Sequence, residues 1–119
     1  MVIYTASLSK YADPLMDQID PKRLCTKWLF REHCTFYGGV FVKDLSKVGW
    51  DMKDLIILDN SPNSYFFQPE NALPILSWYD NMNDRLLYNY IQILQGLSIT
   101  NDVWSVLKLF VNHHSQFEE

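Results

Sequence analysis

Residues 2–20 read VIYTASLSKYADPLMDQID, and the change of period inside this stretch decides the fold class. Val2 to Ala6 is a continuous apolar, partly β-branched run, the pattern of a strand buried on both faces of a parallel sheet. From Leu8 onward the apolar positions are Leu8, Tyr11, Ala12, Leu15, Met16 and Ile19. Their spacing of three and four predicts a helix with one apolar face, capped by Ser7 or Ser9. Pro14 has no amide donor and is expected early in a turn or at a break. Asp20-Pro21 closes the unit, because the residue before a proline is pushed out of helical geometry. A buried strand running into an amphipathic helix points to the α/β class.

The following segments extend the pattern. KWLFRE (27–32) reads as a short strand, and CTFYGGVFVKDL (34–45) as a β-hairpin turning at Gly38-Gly39. VGWDMKD (48–54) is a loop. LIILDNSP (55–62) is the strongest strand, four aliphatics ending in Asp59-Asn60 and stopped by Pro62. ENALPIL (70–76) predicts another short strand ending near Trp78. NDRLLYNYIQILQGL (83–97) predicts a helix capped by Asn83 or Asp84 and ended by Gly96, with Leu86, Leu87, Tyr90, Ile91 and Leu94 on one face. In the last segment Val103, Val106, Leu107, Phe110 and Val111 keep helical spacing. That helix either closes the core or docks a partner.

Bulk properties exclude several classes of function. The 119 residues make one domain, and 48% apolar with 15% aromatic content excludes disorder. Ten basic against fourteen acidic residues give a net charge of −4, which argues against direct nucleic-acid binding. No apolar run approaches the roughly 20 residues of a membrane span, and no leader of the secretory type is expected from the first residues. Cys25 and Cys34 lack the close pairing of zinc ligands, so they read as reduced, partly buried thiols of an intracellular protein. His113 and His114 read as a solvated pair.

Polar residues stand where the apolar runs stop: Thr5, Lys43 and Asp59-Asn60. In a parallel sheet all carboxyl ends open on one crevice, so residues distant in sequence converge there. A hydroxyl, an ammonium and an acid-amide pair suit a phosphate held beside a divalent cation: the ammonium offsets negative charge and the oxygens suit Mg2+. Taken singly, Thr5 is an ordinary strand residue, Lys43 a solvated hairpin end, and Asp59 a turn or helix cap.

Three stretches, VIYTASLSKYADPLMDQIDP, LFREHCTFYGGVFVKDLSKVG and LIILDNSPNSYFFQPENALPILSWYDN, resemble the small phosphatases that act on the C-terminal domain of RNA polymerase II. These are haloacid dehalogenase-superfamily proteins with an FCP-homology domain. The resemblance runs from residue 2 to about residue 97. It implies a Rossmann-like three-layer fold with a mainly parallel sheet and a β-hairpin insertion. Residues 1–98 would be a partial FCP-homology domain and 99–119 a C-terminal helical extension. By resemblance, Thr5 binds the transferring phosphoryl group, Lys43 stabilises a phospho-aspartate, Asn60 is a side-chain Mg2+ ligand, and Asp59 orients the lysine and the metal shell. Arg31 is similar to an arginine that contacts a neighbouring phosphate of the peptide. Leu8 and Tyr11 resemble part of a pocket for a proline beside the phosphoserine; helix packing alone also accounts for them, as a surface ion pair does for Arg31.

The same resemblance implies an aspartate nucleophile and a general acid in a D-x-D-x-T/V motif. No D-x-D occurs in the 119 residues; DMKD (51–54) and DNMNDR (80–85) have other spacings. In the family that motif ends a central strand between those resembling residues 2–6 and 55–60. The sequence therefore predicts a phosphatase domain without its first central strand, inactive as this chain. It also predicts two open strand edges about 10 Å apart, twice the usual spacing. Such edges invite rearrangement, self-association or strand exchange. The alternative is a non-catalytic interaction module of the same domain family, as in a mitochondrial import receptor subunit. The expected partner is a phosphoprotein, with the polymerase C-terminal domain the candidate, and nuclear location follows by analogy.

Overall fold

A computed structural model describes residues 1–77 and 79–109. Trp78, Phe110, Val111, His113 and His114, named above, lie outside the described residues. The chain runs β1 (Val2–Tyr4), α1 (Ser9–Ile19), β2 (Lys27–Leu29), β3 (Thr35–Tyr37), β4 (Val40–Val42), β5 (Ile57–Asp59), β6 (Ala72–Pro74) and α2 (Leu86–Leu97), with five short 3-10 turns between Arg31 and Asn71. Residues 103–109 are helical again (α3).

Each expected strand is present but short. β1 pairs in parallel with β2, β5 in parallel with β6, and β3 antiparallel with β4. In place of one mainly parallel sheet, the described residues form three two-stranded sheets, and no ladder joins β1 to β5. Side-chain alternation shows how the two parallel pairs are packed. Ile3 and Trp28 face Ala12, Met16 and Phe30, so α1 covers that side of β1–β2. Tyr4 and Leu29 point the other way, into a cluster with Ile57, Ala72, Leu45 and Val48. Leu58 and Leu73, on the opposite side of β5–β6, meet Tyr90, Leu97, Val103 and Leu107 of α2 and α3. Residues 103–109 thus belong to the core through Val103 and Leu107, 3% and 1% exposed.

Several local expectations shift, each for a visible reason. Leu8 is the N-cap of α1, and neither Ser7 nor Ser9 caps it with a side chain. Instead the Glu32 carboxylate accepts from the Ser9 amide (3.1 Å) and hydroxyl (3.2 Å), which places negative charge at the positive end of the helix. Pro14 sits inside α1, where the acceptor it leaves free belongs to exposed Lys10. The apolar face of α1 divides: Ala12 and Met16 are buried, while Tyr11, Leu15 and Ile19 are 68%, 52% and 60% exposed. Two strands are wide enough to cover one stripe of the helix but not the neighbouring one. α2 divides likewise, with Tyr90 and Leu97 buried and Leu87 and Ile91 exposed.

β2 stops at Leu29 because the Phe30 amide donates to His33 Nδ1 (2.9 Å) and draws 31–33 into a 3-10 turn. The hairpin turns where expected: Gly38 and Gly39 have φ of 58° and 85°, the conformation a two-residue turn of the primed type needs. The N-cap of α2 is Arg85, without a side-chain cap, in place of the expected Asn83 or Asp84, and Gly96 lies within the helix; Asp84 Oδ1 accepts from the Leu86 amide at 2.8 Å.

Candidate active site

β5 ends in Asp59, buried to 9% exposure, and β4 leads directly into Lys43, also 9% exposed. Lys43 Nζ donates to Asp59 Oδ2 at 2.6 Å, and the Ser61 amide donates to Asp59 Oδ1 at 3.0 Å. Both carboxylate oxygens are therefore engaged, each with a lone pair remaining. Among the described residues, two of the three ammonium protons of Lys43 are left for another acceptor. Its backbone is pinned as well: the Lys43 amide donates to the Ser64 carbonyl (2.9 Å). The next turn is tied down by Gln68, which accepts from the Leu45 amide (3.0 Å) and donates to Asp44 Oδ1 (2.9 Å). Burial works against the Asp44 charge, yet hydrogen bonds from Ser46 and Gln68 hold its carboxyl below the ordinary value.

Asn60, one residue on, donates from Nδ2 to Ser77 Oγ at 2.5 Å, so its amide oxygen is the side that can accept a ligand. Lys43, Asp59, Asn60 and Ser77 line one cavity of about 570 Å3 together with Tyr4, Leu58, Ile75, Asp84 and Leu86 to Tyr88. Tyr4 belongs to the cluster on one side of the strand layer and Leu58 to that on the other. The cavity is thus lined from both β1 and β5, which no ladder joins.

The remaining predicted residues are not in the wall of this cavity. Thr5 follows β1, with its amide donating to the Leu29 carbonyl (2.9 Å) and its Oγ1 accepting from the Ser7 amide (3.1 Å). Because that oxygen accepts, its own proton is free to be donated. Arg31 donates from Nε to the Ala6 carbonyl (2.7 Å), beside Thr5. Leu8 ends the loop before α1, and Tyr11 stands exposed in the first turn under Lys10 Nζ, 5.0 Å from its ring. Neither lines the cavity.

Sequence reasoning overlooked Tyr4 and Ser77. Ser77 follows the apolar run 72–76, so the rule that selected Asp59 would have found it. Tyr4 was hidden because an aromatic in a buried strand reads as core. Its hydroxyl donates to the His33 carbonyl (2.7 Å), and burial chiefly, with Cys34 and Asp44 adding to it, pushes its pKa upward. Burial also raises the Cys34 thiol, against the opposing pull of Lys43. Cys25 and Cys34 are both free.

Residues 1–104 match the sequence profile described as NLI interacting factor-like phosphatase. The chain belongs to this family. It is 50% identical to the human carboxy-terminal domain RNA polymerase II polypeptide A small phosphatase 1 over 107 residues, covering 90% of this chain and 41% of that protein. It is equally 50% identical to a probable C-terminal domain small phosphatase of Dictyostelium discoideum, covering 90% of this chain and 35% of that one. Phosphatase Herzog of Drosophila melanogaster is 45% identical over 89% of this chain and 30% of its own length. The chain thus spans less than half the length of these relatives.

The donors fit a phosphate better than a metal. Among the described residues no group of three His, Cys, Asp or Glu side chains could hold an ion. Mg2+ prefers six oxygens, usually one or two carboxylates with waters and a phosphate. Asn60 offers one oxygen, and Asp59 one carboxylate whose oxygens each keep a lone pair beside the bonds to Lys43 and Ser61. By themselves these residues do not make a magnesium site. No helix of the described residues is long and apolar enough to cross a membrane.

Proposed function

We propose that this chain carries the phosphate cradle of a haloacid dehalogenase-like phosphoprotein phosphatase directed at phosphoserine or phosphothreonine. The observation that carries the reading is the buried Lys43–Asp59 pair (2.6 Å) facing a strand-end cavity in a chain of the phosphatase family. A lysine held dry by one carboxylate, with two protons to spare, is prepared for an oxyanion. In this reading the Thr5 hydroxyl donates to a phosphoryl oxygen, Lys43 neutralises the charge that develops on transfer, and Asp59 keeps the ammonium in place.

The acceptor carboxylate and the general acid are not among these residues, since the sequence holds no D-x-D. The place for them is the opening between β1 and β5, whose edges are free for a further strand. A strand bearing two carboxylates there would also supply the ligands that Asn60 lacks for Mg2+. A strand of that kind is not among the 119 residues, so a second copy of them does not supply it. A phosphoprotein such as the polymerase C-terminal domain is the proposed substrate, with nuclear action following from it.

The test uses p-nitrophenyl phosphate with Mg2+ and size-exclusion chromatography over a concentration series. The chain alone should give no turnover above the Lys43→Met variant. Coexpression with a segment carrying an apolar strand that ends in D-x-D should restore it. Brisk turnover by the 119 residues alone, or none with the added strand, would overturn the reading.

A further inference from the structure

The hairpin β3–β4 forms no ladder with either parallel pair, and its two faces differ. Val42 is fully buried, so the side it shares with Thr35, Tyr37 and Val40 turns toward the body of the protein. Phe36 and Phe41 are register partners on the other side, with ring centroids 5.1 Å apart and planes tilted by 48°. Phe36 is 66% exposed. Arg31 completes the surface: its guanidinium lies 4.9 Å from the Phe41 centroid, and its Nε is anchored on the Ala6 carbonyl. The fork is thereby held in place while its terminal nitrogens donate to no acceptor among the described residues.

This platform adjoins the anion cradle. Ala6 follows Thr5, and Phe41 precedes Lys43 by two residues, about 7 Å of extended chain. We infer that Phe36 and Phe41, with Arg31, form a subsite for an aromatic side chain of an extended phosphoserine peptide. The inference rests on the phosphoprotein reading above and adds a side-chain preference to it. A peptide strand advances about 3.3 Å per residue, so a phosphoserine at Thr5 and Lys43 places the aromatic residue two or three positions away. A tilted ring pair presents both a face and an edge to an incoming ring, the arrangements aromatic contacts favour. Arg31 adds a cation beside that ring and attracts negative charge on the same segment.

The test measures fluorescence anisotropy with fluorescein-labelled nonapeptides carrying one phosphoserine in a Ser/Ala/Gly background. A single Tyr is moved through the positions on either side, and the proteins are the wild type, Phe36→Ala, Phe36→Leu and Phe36→Trp. One placement, two or three residues from the phosphoserine, should bind the wild type about five-fold tighter than the Tyr-free peptide. That gain should vanish in Phe36→Ala and Phe36→Leu and persist in Phe36→Trp, while the Tyr-free peptide binds all four proteins equally. No gain at any placement, or a gain that survives Phe36→Leu, would overturn the subsite. Equal binding of the dephosphorylated peptides, with the Tyr-dependent gain intact, would overturn the phosphoserine reading and leave the aromatic subsite standing. Absence of binding by every peptide overturns both.

Discussion

Replacing Lys43 with Met tests the electrostatic centre of the site directly. At 2.6 Å, unit charges attract by about 6 kcal/mol at an effective dielectric of 20. Removing two ions from water offsets most of that, so the intact pair adds little net stability. The single replacement is different. It leaves the Asp59 carboxylate, whose side chain is 8% exposed, with the Ser61 amide as its one remaining donor among the described residues. Breaking one side of a buried pair costs about 3–5 kcal/mol, a large part of a typical domain's 5–15 kcal/mol. For a chain of this size that is a fall in Tm of about 12–20 °C. The assay is urea unfolding followed by circular dichroism, applied to Lys43→Met, Asp59→Leu and the double variant at one protein concentration. The double variant should be more stable than either single one, because it leaves no charge buried alone. Single variants that cost less than about 1 kcal/mol, or costs that simply add in the double variant, would refute this account.

Four further outcomes follow from other parts of the molecule. Asp20 accepts from the Leu24 amide (2.7 Å), the Cys25 amide (3.1 Å) and Trp28 Nε1 (3.1 Å); burial opposes its charge, but these bonds leave its carboxyl below the ordinary value. A depressed folded value means stability that is present above the unfolded pKa and lost as pH falls through the folded one, so Asp20→Asn should lower Tm at neutral pH and flatten its decline toward acid. Asn71, fully buried, donates to the Met52 and Leu55 carbonyls (2.8 Å each) and accepts from Trp104 Nε1 (3.0 Å). Asn71→Ala should cost about 3 kcal/mol in denaturant unfolding, and Trp104→Phe less, about 1–2 kcal/mol, since it orphans one acceptor. Gly38→Ala, at a left-handed φ of 58°, should cost about 1 kcal/mol by the same measurement.

The order of elements and several residues of the cavity wall were legible in the sequence because both are local. A period change at Leu8, a Gly-Gly turn and an acid-amide pair after four aliphatics are each contained within a few residues. Lys43, Asp59 and Asn60 could be picked out for the same reason: each stands where an apolar run stops. Local pattern gives no account of how much partner surface each face meets. It therefore marked Leu15, Ile19, Leu87 and Ile91 as inward, although two-stranded pairs cannot cover so wide a stripe. Only the tertiary structure brought Lys43 to 2.6 Å from Asp59, set Ser77 against Asn60, and drew α3 into the core through Leu107. Those juxtapositions join residues 16, 17 and about 34 positions apart. They depend on the burial that pays for closing such loops, a property of the whole chain and not of any window within it.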